Sequence, residues 1–323
     1  MSISFWPDQR LAWLNRGEVS RGSVGGKGAS LSRLTLLGAP VPESFALTTA
    51  AYREFAMAHN IPLCARDVAD SSLADLRDQI EHGRLADDLM SLVTQEFEAL
   101  KGNDDCSFAV RSSATAEDSA EFSFAGLHDT ILDVRDLETL ERAITKCWAS
   151  LWSDRAVAYR RSGDLASDDS GIAVVIQKLV RADVSFVVFT ADPVKNRQEH
   201  LVIAATWGLG EAVVSGLVVP DHIVIGPDGA VIEYAIGDKH QMVIPSDIPG
   251  GGVRELPVPR ALRVMPSLSH DQAMEVGRLA RDISSRLGFP ADLEGAYESG
   301  KLYLLQARPI TTLSPQVERQ TSQ

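Results

Sequence analysis

The sequence predicts an α/β (α+β) protein built as two lobes, and three observations carry that reading. Its 323 residues exceed one typical domain, and 45% of them are hydrophobic, enough for a packed core in each lobe. The first hundred residues carry helical periodicity, whereas β-branched strand runs set in at Cys106 and recur to residue 310. Loops rich in Gly, Pro, Ser and Asp separate these runs. The division is placed at residue 180: residues 1–180 form an N-terminal lobe, 181–314 a C-terminal lobe, and 315–323 a polar, disordered tail.

Taken in order, a Gly-rich opening leads into an apolar-periodic helix from Ala29 to Leu37. Longer amphipathic stretches follow at Ala50 to His59 and Leu73 to Leu100. Strands are predicted at Ser107 to Val110, Thr130 to Val134, Ile172 to Leu179 and Ser185 to Thr190, with a helical stretch from Leu137 to Arg161 between the second and third. The segment Ser162 to Ser170 is a polar loop. Strands at Leu201 to Ala205, Val218 to Ile225 and Val231 to Ile236 come next, the last two joined by the turn Gly226-Pro227-Asp228-Gly229. The Gly- and Pro-rich stretch Pro245 to Pro259 reads as a long mobile loop before a helix from Ser269 to Leu287. Trp148, Trp152 and Tyr159 form a helical stripe that reads as core packing.

Composition excludes several function classes. A net charge of −13 argues against a broad nucleic-acid or anionic-membrane surface, because phosphate backbones attract clustered Lys and Arg. Any phosphate site must be a local basic pocket. The chain begins without a basic n-region and apolar h-region, and no apolar run approaches the roughly 20 residues that span a bilayer, so a cytoplasmic location is expected. Cys64, Cys106 and Cys147 form no C-x-x-C pair and read as buried thiols in a reducing compartment. The histidines, His59, His82, His128, His200, His222, His240 and His270, stand singly and form no metal-ligand spacing. No G-x-S-x-G elbow supports a nucleophilic hydrolase.

Five places can hold chemistry. In Val24-Gly25-Gly26-Lys27-Gly28-Ala29 a lysine sits among glycines at a helix mouth, where free N–H groups and the dipole favour an anion. It is not a Walker A loop, and it also reads as a flexible turn. At Val110-Arg111-Ser112-Ser113 an apolar strand ends in an arginine and hydroxyls suited to phosphate oxygens; Thr115 and Asp118 also resemble a capping box. Ser123-Phe124-Ala125-Gly126 and Thr130 supply a glycine for close backbone approach and a hydroxyl four residues on. Gly208-Leu209-Gly210-Glu211 is a flexible loop with an acid.

The fifth place is the last strand pair. Residues two apart share a face, so Asp292 pairs with Glu294 and Gln306 with Arg308. A three-residue hairpin loop at Ser299 would set Glu294 opposite Gln306 and Asp292 opposite Arg308, whereas a two-residue loop would break that register. In that register a carboxylate and an amide oxygen can ligate Mg²⁺ while a guanidinium grips a phosphate. An edge hairpin with ordinary surface charges is the alternative.

Together these segments, with Pro40-Val41-Pro42, Ser150 to Arg160, Pro220-Asp221 and Leu304-Leu305-Gln306-Ala307-Arg308-Pro309, resemble the nucleotide-binding domain of phosphoenolpyruvate synthase, pyruvate phosphate dikinase and rifampicin phosphotransferase. The resemblance covers nearly the whole chain. It implies an ATP-grasp fold with ATP and Mg²⁺ between two lobes. Lys27, Arg111 and Arg308 would act on the transferring phosphates, Glu294 and Gln306 would ligate Mg²⁺, and Gly126 and Thr130 would shape the phosphate-covering loop. Gln177, Lys178, Leu179 and Val180 would line the adenine, and Glu211 would be a nucleotide-site acid; Asp292 would orient its neighbours.

The chain also departs from that pattern. Phe186 stands where the family usually has glycine, which would reshape the base pocket, and Gly295 stands where the synthases commonly have tryptophan. No histidine lies in a Gly-rich Thr/Ser-His-Ala loop. The resemblance therefore implies a module that phosphorylates a histidine on a separate carrier subunit or domain, which serves a small-molecule acceptor, with AMP and phosphate as products. A self-contained kinase or ligase yielding ADP and a non-catalytic nucleotide-binding module are the rivals.

Overall fold

Two antiparallel sheets organise the molecule, and the chain visits them in turn. The computed structural model describes residues 9–103, 106–115, 130–162, 171–248 and 251–311. Gly126, Asp118, the loop 163–170 and the tail from 312 lie outside the described residues.

The N-terminal part runs β1 (Leu11–Trp13), α1 (Arg21–Leu36), β2 (Ser44–Leu47), α2 (Thr49–Ala58), α3 (Leu73–Glu81), α4 (Asp87–Lys101), β3 (Phe108–Ala114), β4 (Thr130–Val134), α5 (Leu137–Ala149), α6 (Asp154–Ser162) and β5 (Ile172–Lys178). Its five strands pair in the order β1-β2-β5-β3-β4. Alternation decides what each face does. Phe108, Val110, Ile172, Val174 and Ile176 point into a core shared with Phe97, Trp148 and Trp152, so two of the three stripe aromatics pack as expected. Arg111, Ser113, Val175 and Gln177 occupy the other face, toward α1.

Two expectations are corrected here. The Leu73 to Leu100 stretch is two helices, α3 and α4, with the chain breaking at Gly83, where a Cβ would meet the Phe55 ring at 2.5 Å. The capping box expected of Thr115 and Asp118 lies outside the described residues; Thr115 itself exchanges hydrogen bonds with Gly171 and so ties the end of β3 to the start of β5. Cys147 is buried, but Cys64 and Cys106 are only half-buried.

The C-terminal part runs β6 (Val184–Phe189), β7 (Leu201–Trp207), α7 (Glu211–Val214), β8 (Asp221–Ile225), β9 (Val231–Ala235), β10 (Gln241–Pro245), β11 (Val253–Pro257), α8 (Arg260–Arg263), α9 (His270–Leu287), β12 (Ala291–Glu298) and β13 (Lys301–Pro309). Six strands pair as β13-β12-β6-β7-β8-β9. Helix α9 covers one face of that sheet. Ser269 and Gln272 form its capping box, Gly288 closes it in the left-handed conformation, and Ala273, Val276, Ala280 and Ile283 bury its apolar stripe against Val184, Phe186 and Val188.

The stretch expected as a long loop, Pro245 to Pro259, instead supplies β11, which pairs with β10 to form an arm. Glycines there allow a close approach rather than disorder. Gly251, at φ +85°, packs against the Asp133 carbonyl so tightly that a Cβ would lie 1.7 Å from it. Gly252 N–H donates to that carbonyl, and Arg135 donates both to the Asp133 carboxylate and to the Ser246 carbonyl, so the arm is fastened to β4.

Candidate active site

A cavity of about 650 Å³ lies between the two sheets. Lys27, Arg111, Thr130, Gln177, Lys178, Leu179, Val180, Glu211, Glu294, Gln306 and Arg308 all line it, so every expected site residue that is described meets in one place. Gly126 lies outside the described residues.

Lys27 reaches the cavity because α1 is broken one turn in. Ser20 caps the first turn, and Gly25 then takes φ +70° and ψ −177°, which interrupts the helix. Ser113 repairs the interruption. Its hydroxyl donates to the Val24 carbonyl (2.7 Å) and accepts the Gly28 N–H (3.1 Å), replacing the bond that an unbroken helix would make between those two groups. The Gly28 amide is therefore taken and does not face a ligand, contrary to a simple anion cradle. Lys27, only 8% exposed, donates to the Ser112 carbonyl (3.1 Å), so its ammonium stands beside β3.

Arg111, two residues before Ser113, faces the same way and joins β3 to the last hairpin. It donates to the Leu305 carbonyl (3.0 Å) and to Gln306 Oε1 (2.6 Å), and its Nη2 lies 3.6 Å from Glu294 Oε2. The hairpin register is the expected one, Asp292 opposite Arg308 and Glu294 opposite Gln306, but the route differs. The loop is the two-residue Ser299-Gly300, both at positive φ, which alone would have broken the pairing. A β-bulge restores it. Gly295 pairs with Leu304 and Glu294 with Gln306, leaving Leu305 as the extra residue, and its freed carbonyl is the one that Arg111 takes.

Arg308 lines the cavity while its Nε donates to Asp292 Oδ2 (2.7 Å). Asp292 is 5% exposed and does not line the cavity, so it holds Arg308 from behind. Burial pushes the Asp292 carboxyl above the usual carboxylate range; Arg308 opposes that push and Glu294 adds to it. Glu211, at the start of α7, is also pushed up by burial.

The other end of the cavity is apolar. Leu132, Leu179, Ala182, Leu217 and Val243 meet there in one cluster with Leu209. Gln177 is 2% exposed at this wall, and its Nε2 has no hydrogen-bond partner in the structure, a buried donor that a ligand acceptor would satisfy. Ser113, expected as a phosphate hydroxyl, instead bridges the break in α1. Sequence reasoning missed Leu305 and the arm residues Val243 and Glu255, which carry no local signal because each acquires its place through a partner distant in the chain.

Phe186 borders the cavity together with Gly295, which sits opposite it in the sheet, and its ring packs into the core beneath α9. The ring is 2% exposed and packs 6.2 Å from the Tyr297 ring. A Cβ on Gly295 would lie 2.4 Å from the Phe186 Cζ, so the ring fills the volume that a side chain at 295 would occupy. The two departures are one exchange of bulk across neighbouring strands.

Glu294 and Gln306 offer one carboxylate and one amide oxygen, and no group of three or more His, Cys, Asp or Glu able to hold a metal occurs among the described residues. That donor set does not make a protein cage. It fits Mg²⁺, which binds through one or two protein oxygens and completes its shell with phosphate and water. No helix among the described residues is long and apolar enough to cross a membrane.

The family described as pyruvate phosphate dikinase, AMP/ATP-binding domain, matches residues 21–323. The chain is similar to the probable phosphoenolpyruvate synthase of Methanocaldococcus jannaschii, 37% identical over 321 residues that cover 94% of this chain and 27% of that protein. It is similar to the prodigiosin synthesizing transferase PigC of Serratia marcescens, 39% identical over 296 residues, 91% of this chain and 32% of that protein. It is also similar to the rifampicin phosphotransferase of Streptomyces sviceus, 37% identical over 305 residues, 90% of this chain and 34% of that protein. The chain thus spans about a quarter to a third of the length of these three relatives.

Proposed function

The chain belongs to the family of pyruvate phosphate dikinase AMP/ATP-binding domains, an ATP-grasp-type fold, and on that premise we propose that its cavity binds Mg·ATP and phosphorylates a histidine carried by a separate domain or subunit. Residues 1–180 and 181–314 act as the two lobes around the nucleotide. ATP, histidine and water give AMP, phosphohistidine and phosphate. The observation that carries this reading is the division of the cavity into an apolar end with an orphaned Gln177 amide and a polar end with Lys27, Arg111, Arg308, Glu294 and Gln306.

The adenine lies among Leu179, Val180, Leu209 and Val243, where Gln177 answers its ring acceptors. Glu211, midway, takes the ribose hydroxyls. At the polar end Arg111 and Lys27 bind phosphate oxygens, and Arg308 grips the phosphoryl being moved; charge that grows on those oxygens in the transition state is met by cations already held in place. Asp292 keeps the Arg308 fork oriented. Glu294 and Gln306 would hold Mg²⁺, which would supply neutralisation of the phosphate charge. No histidine is among the described residues that line the cavity, and on this reading the acceptor imidazole belongs to the carrier.

Relatives named for phosphoenolpyruvate synthesis, rifampicin phosphorylation and prodigiosin synthesis share this region, which supports a common ATP-using module whose final small-molecule acceptor is chosen elsewhere. The test is ³¹P NMR of the products from Mg·ATP, first with the protein alone and then with a carrier domain bearing a Gly-rich Thr/Ser-His-Ala loop. AMP, phosphate and a phosphoramidate signal that require the carrier support the reading. ADP from the protein alone overturns it in favour of a self-contained kinase or ligase, and no turnover with the carrier present leaves a nucleotide-binding module.

A further inference from the structure

β13 is the edge strand of the six-stranded sheet, so its outward backbone groups must find partners beyond the sheet. The N-terminal part supplies them. The Pro40 carbonyl accepts the Leu304 N–H (2.9 Å), and Arg111 donates to the Leu305 carbonyl. At Ala307 one side chain serves both groups: the Ser30 hydroxyl accepts the Ala307 N–H (3.2 Å) and donates to the Ala307 carbonyl (2.6 Å).

Ala307 is the residue between Gln306 and Arg308, and Ser30 lies three residues after Lys27 on α1. That helix is itself fixed to β3 by the Ser113 hydroxyl at the Gly25 break. A single hydroxyl therefore sets the strand that carries two cleft side chains against the helix that carries the third. Without it, the Ala307 N–H and carbonyl lose their partners at an open sheet edge, and the strand loses these hydrogen bonds to α1 while those from Pro40 and Arg111 remain. Both Gln306 and Arg308 would move with a local shift at Ala307.

We propose that Ser30 is a positioning residue for the phosphate end of the cavity, holding Gln306 and Arg308 at the distance from Lys27 that a metal-bound triphosphate requires. The inference rests on reading the cavity as an Mg·ATP site. Ser30 touches no ligand; it acts through the backbone of Ala307, so its loss is felt by a triphosphate with its metal and not by a ligand that occupies the apolar end.

The experiment is isothermal titration of wild type, Ser30→Ala and Ser30→Thr with the β,γ-imido analogue of ATP plus Mg²⁺ and, separately, with AMP, together with hydrogen exchange of the peptide containing Ala307. For Ser30→Ala, triphosphate affinity falls about tenfold, the scale of two lost hydrogen bonds. AMP affinity stays within about twofold, amide exchange at Ala307 accelerates about tenfold, and Ser30→Thr, which keeps the hydroxyl, behaves as wild type. Failure of wild type to bind the Mg²⁺ analogue sinks the underlying reading. If wild type binds and Arg308→Ala weakens it, yet Ser30→Ala changes neither affinity nor exchange, the positioning role alone is refuted. Should Ser30→Ala not fold, Ser30→Thr decides: wild-type exchange and affinity support the role, and alanine-scale losses despite the retained hydroxyl overturn it.

Discussion

Phe186 and Gly295 face each other across neighbouring strands, and a double-mutant cycle on that pair tests whether they exchange bulk. Phe186 is 2% exposed within the α9-facing core, so Phe186→Ala should cost about 3–5 kcal/mol, the usual range for emptying a buried aromatic site. Gly295→Ala adds a Cβ 2.4 Å from the Phe186 Cζ and 2.6 Å from the Tyr303 carbonyl, well inside contact distance, and should cost about 1–3 kcal/mol by overpacking. In the double variant the ring is gone and only the carbonyl contact remains. The sum of the single costs therefore overstates the double one by about 1–2 kcal/mol, whereas independent sites add within about 0.5 kcal/mol. Equilibrium urea unfolding at constant m measures all four corners. Additivity would refute the exchange of bulk. A second readout separates core from cavity: Phe186→Ala should bind Mg·ATP within about twofold of wild type because its ring faces α9, and a drop beyond about tenfold would put the ring back in the nucleotide pocket.

The other predictions use the cavity and its supports. Lys27→Ala and Arg308→Ala should spare the fold and lower carrier phosphorylation by two or more orders of magnitude, about 3 kcal/mol each; wild-type rates would remove both from the chemistry. Gly25→Ala should lower the melting temperature by several degrees, since it places a side chain at φ +70° with a Cβ 2.1 Å from the Ser113 carbonyl, and calorimetry that finds it neutral would show the break in α1 is not needed. Burial raises the Glu211 carboxyl, so the folded state holds its proton to higher pH than the unfolded chain. That contribution is present below the unfolded value of 4.5 and is lost as pH rises through the folded value. Glu211→Gln should therefore melt higher than wild type at about pH 7, with the gap closing toward about pH 4; a gap that does not change with pH would contradict the sign.

What the sequence made legible was residue chemistry at local breaks. Lys27 among glycines stands at the break in α1, where residue type and spacing suffice to find it; Arg111 is found by its chemistry beside the serines, although it stands in the middle of β3 and not at a strand end. The pairing of Glu294 with Gln306 was also legible, but for the wrong reason: a two-residue loop and a bulge cancel, and a bulge has no sequence signature until its carbonyl is seen to meet Arg111. The arm was misread because Gly and Pro signal local freedom, whereas Gly251 is needed to approach Asp133, more than a hundred residues away. For Phe186, alternation gives the parity of a strand but not which face is covered; α9, folded from a later segment, receives its ring while the residue still borders the cavity. Ser30 and Ser113 look like any helix or strand serine until their partners arrive from Ala307 and Val24.

The charge of the whole chain explains why so much of this site is held by its own backbone. A protein of net charge −13 repels a polyphosphate at long range, so affinity must come from a few cations whose positions are fixed before the ligand arrives. Three cleft cations are anchored to something the ligand need not displace: Lys27 to the Ser112 carbonyl, Arg111 to the bulged Leu305 carbonyl, Arg308 to the buried Asp292. Two of these anchors are main-chain oxygens, which hold a cation without neutralising it as a carboxylate does. Formal negative charge still stands at the polar end, Glu294 3.6 Å from Arg111 Nη2 and Asp292 on Arg308. There burial raises the Asp292 carboxyl, so its hold on Arg308 comes at a desolvation cost that the other two anchors avoid.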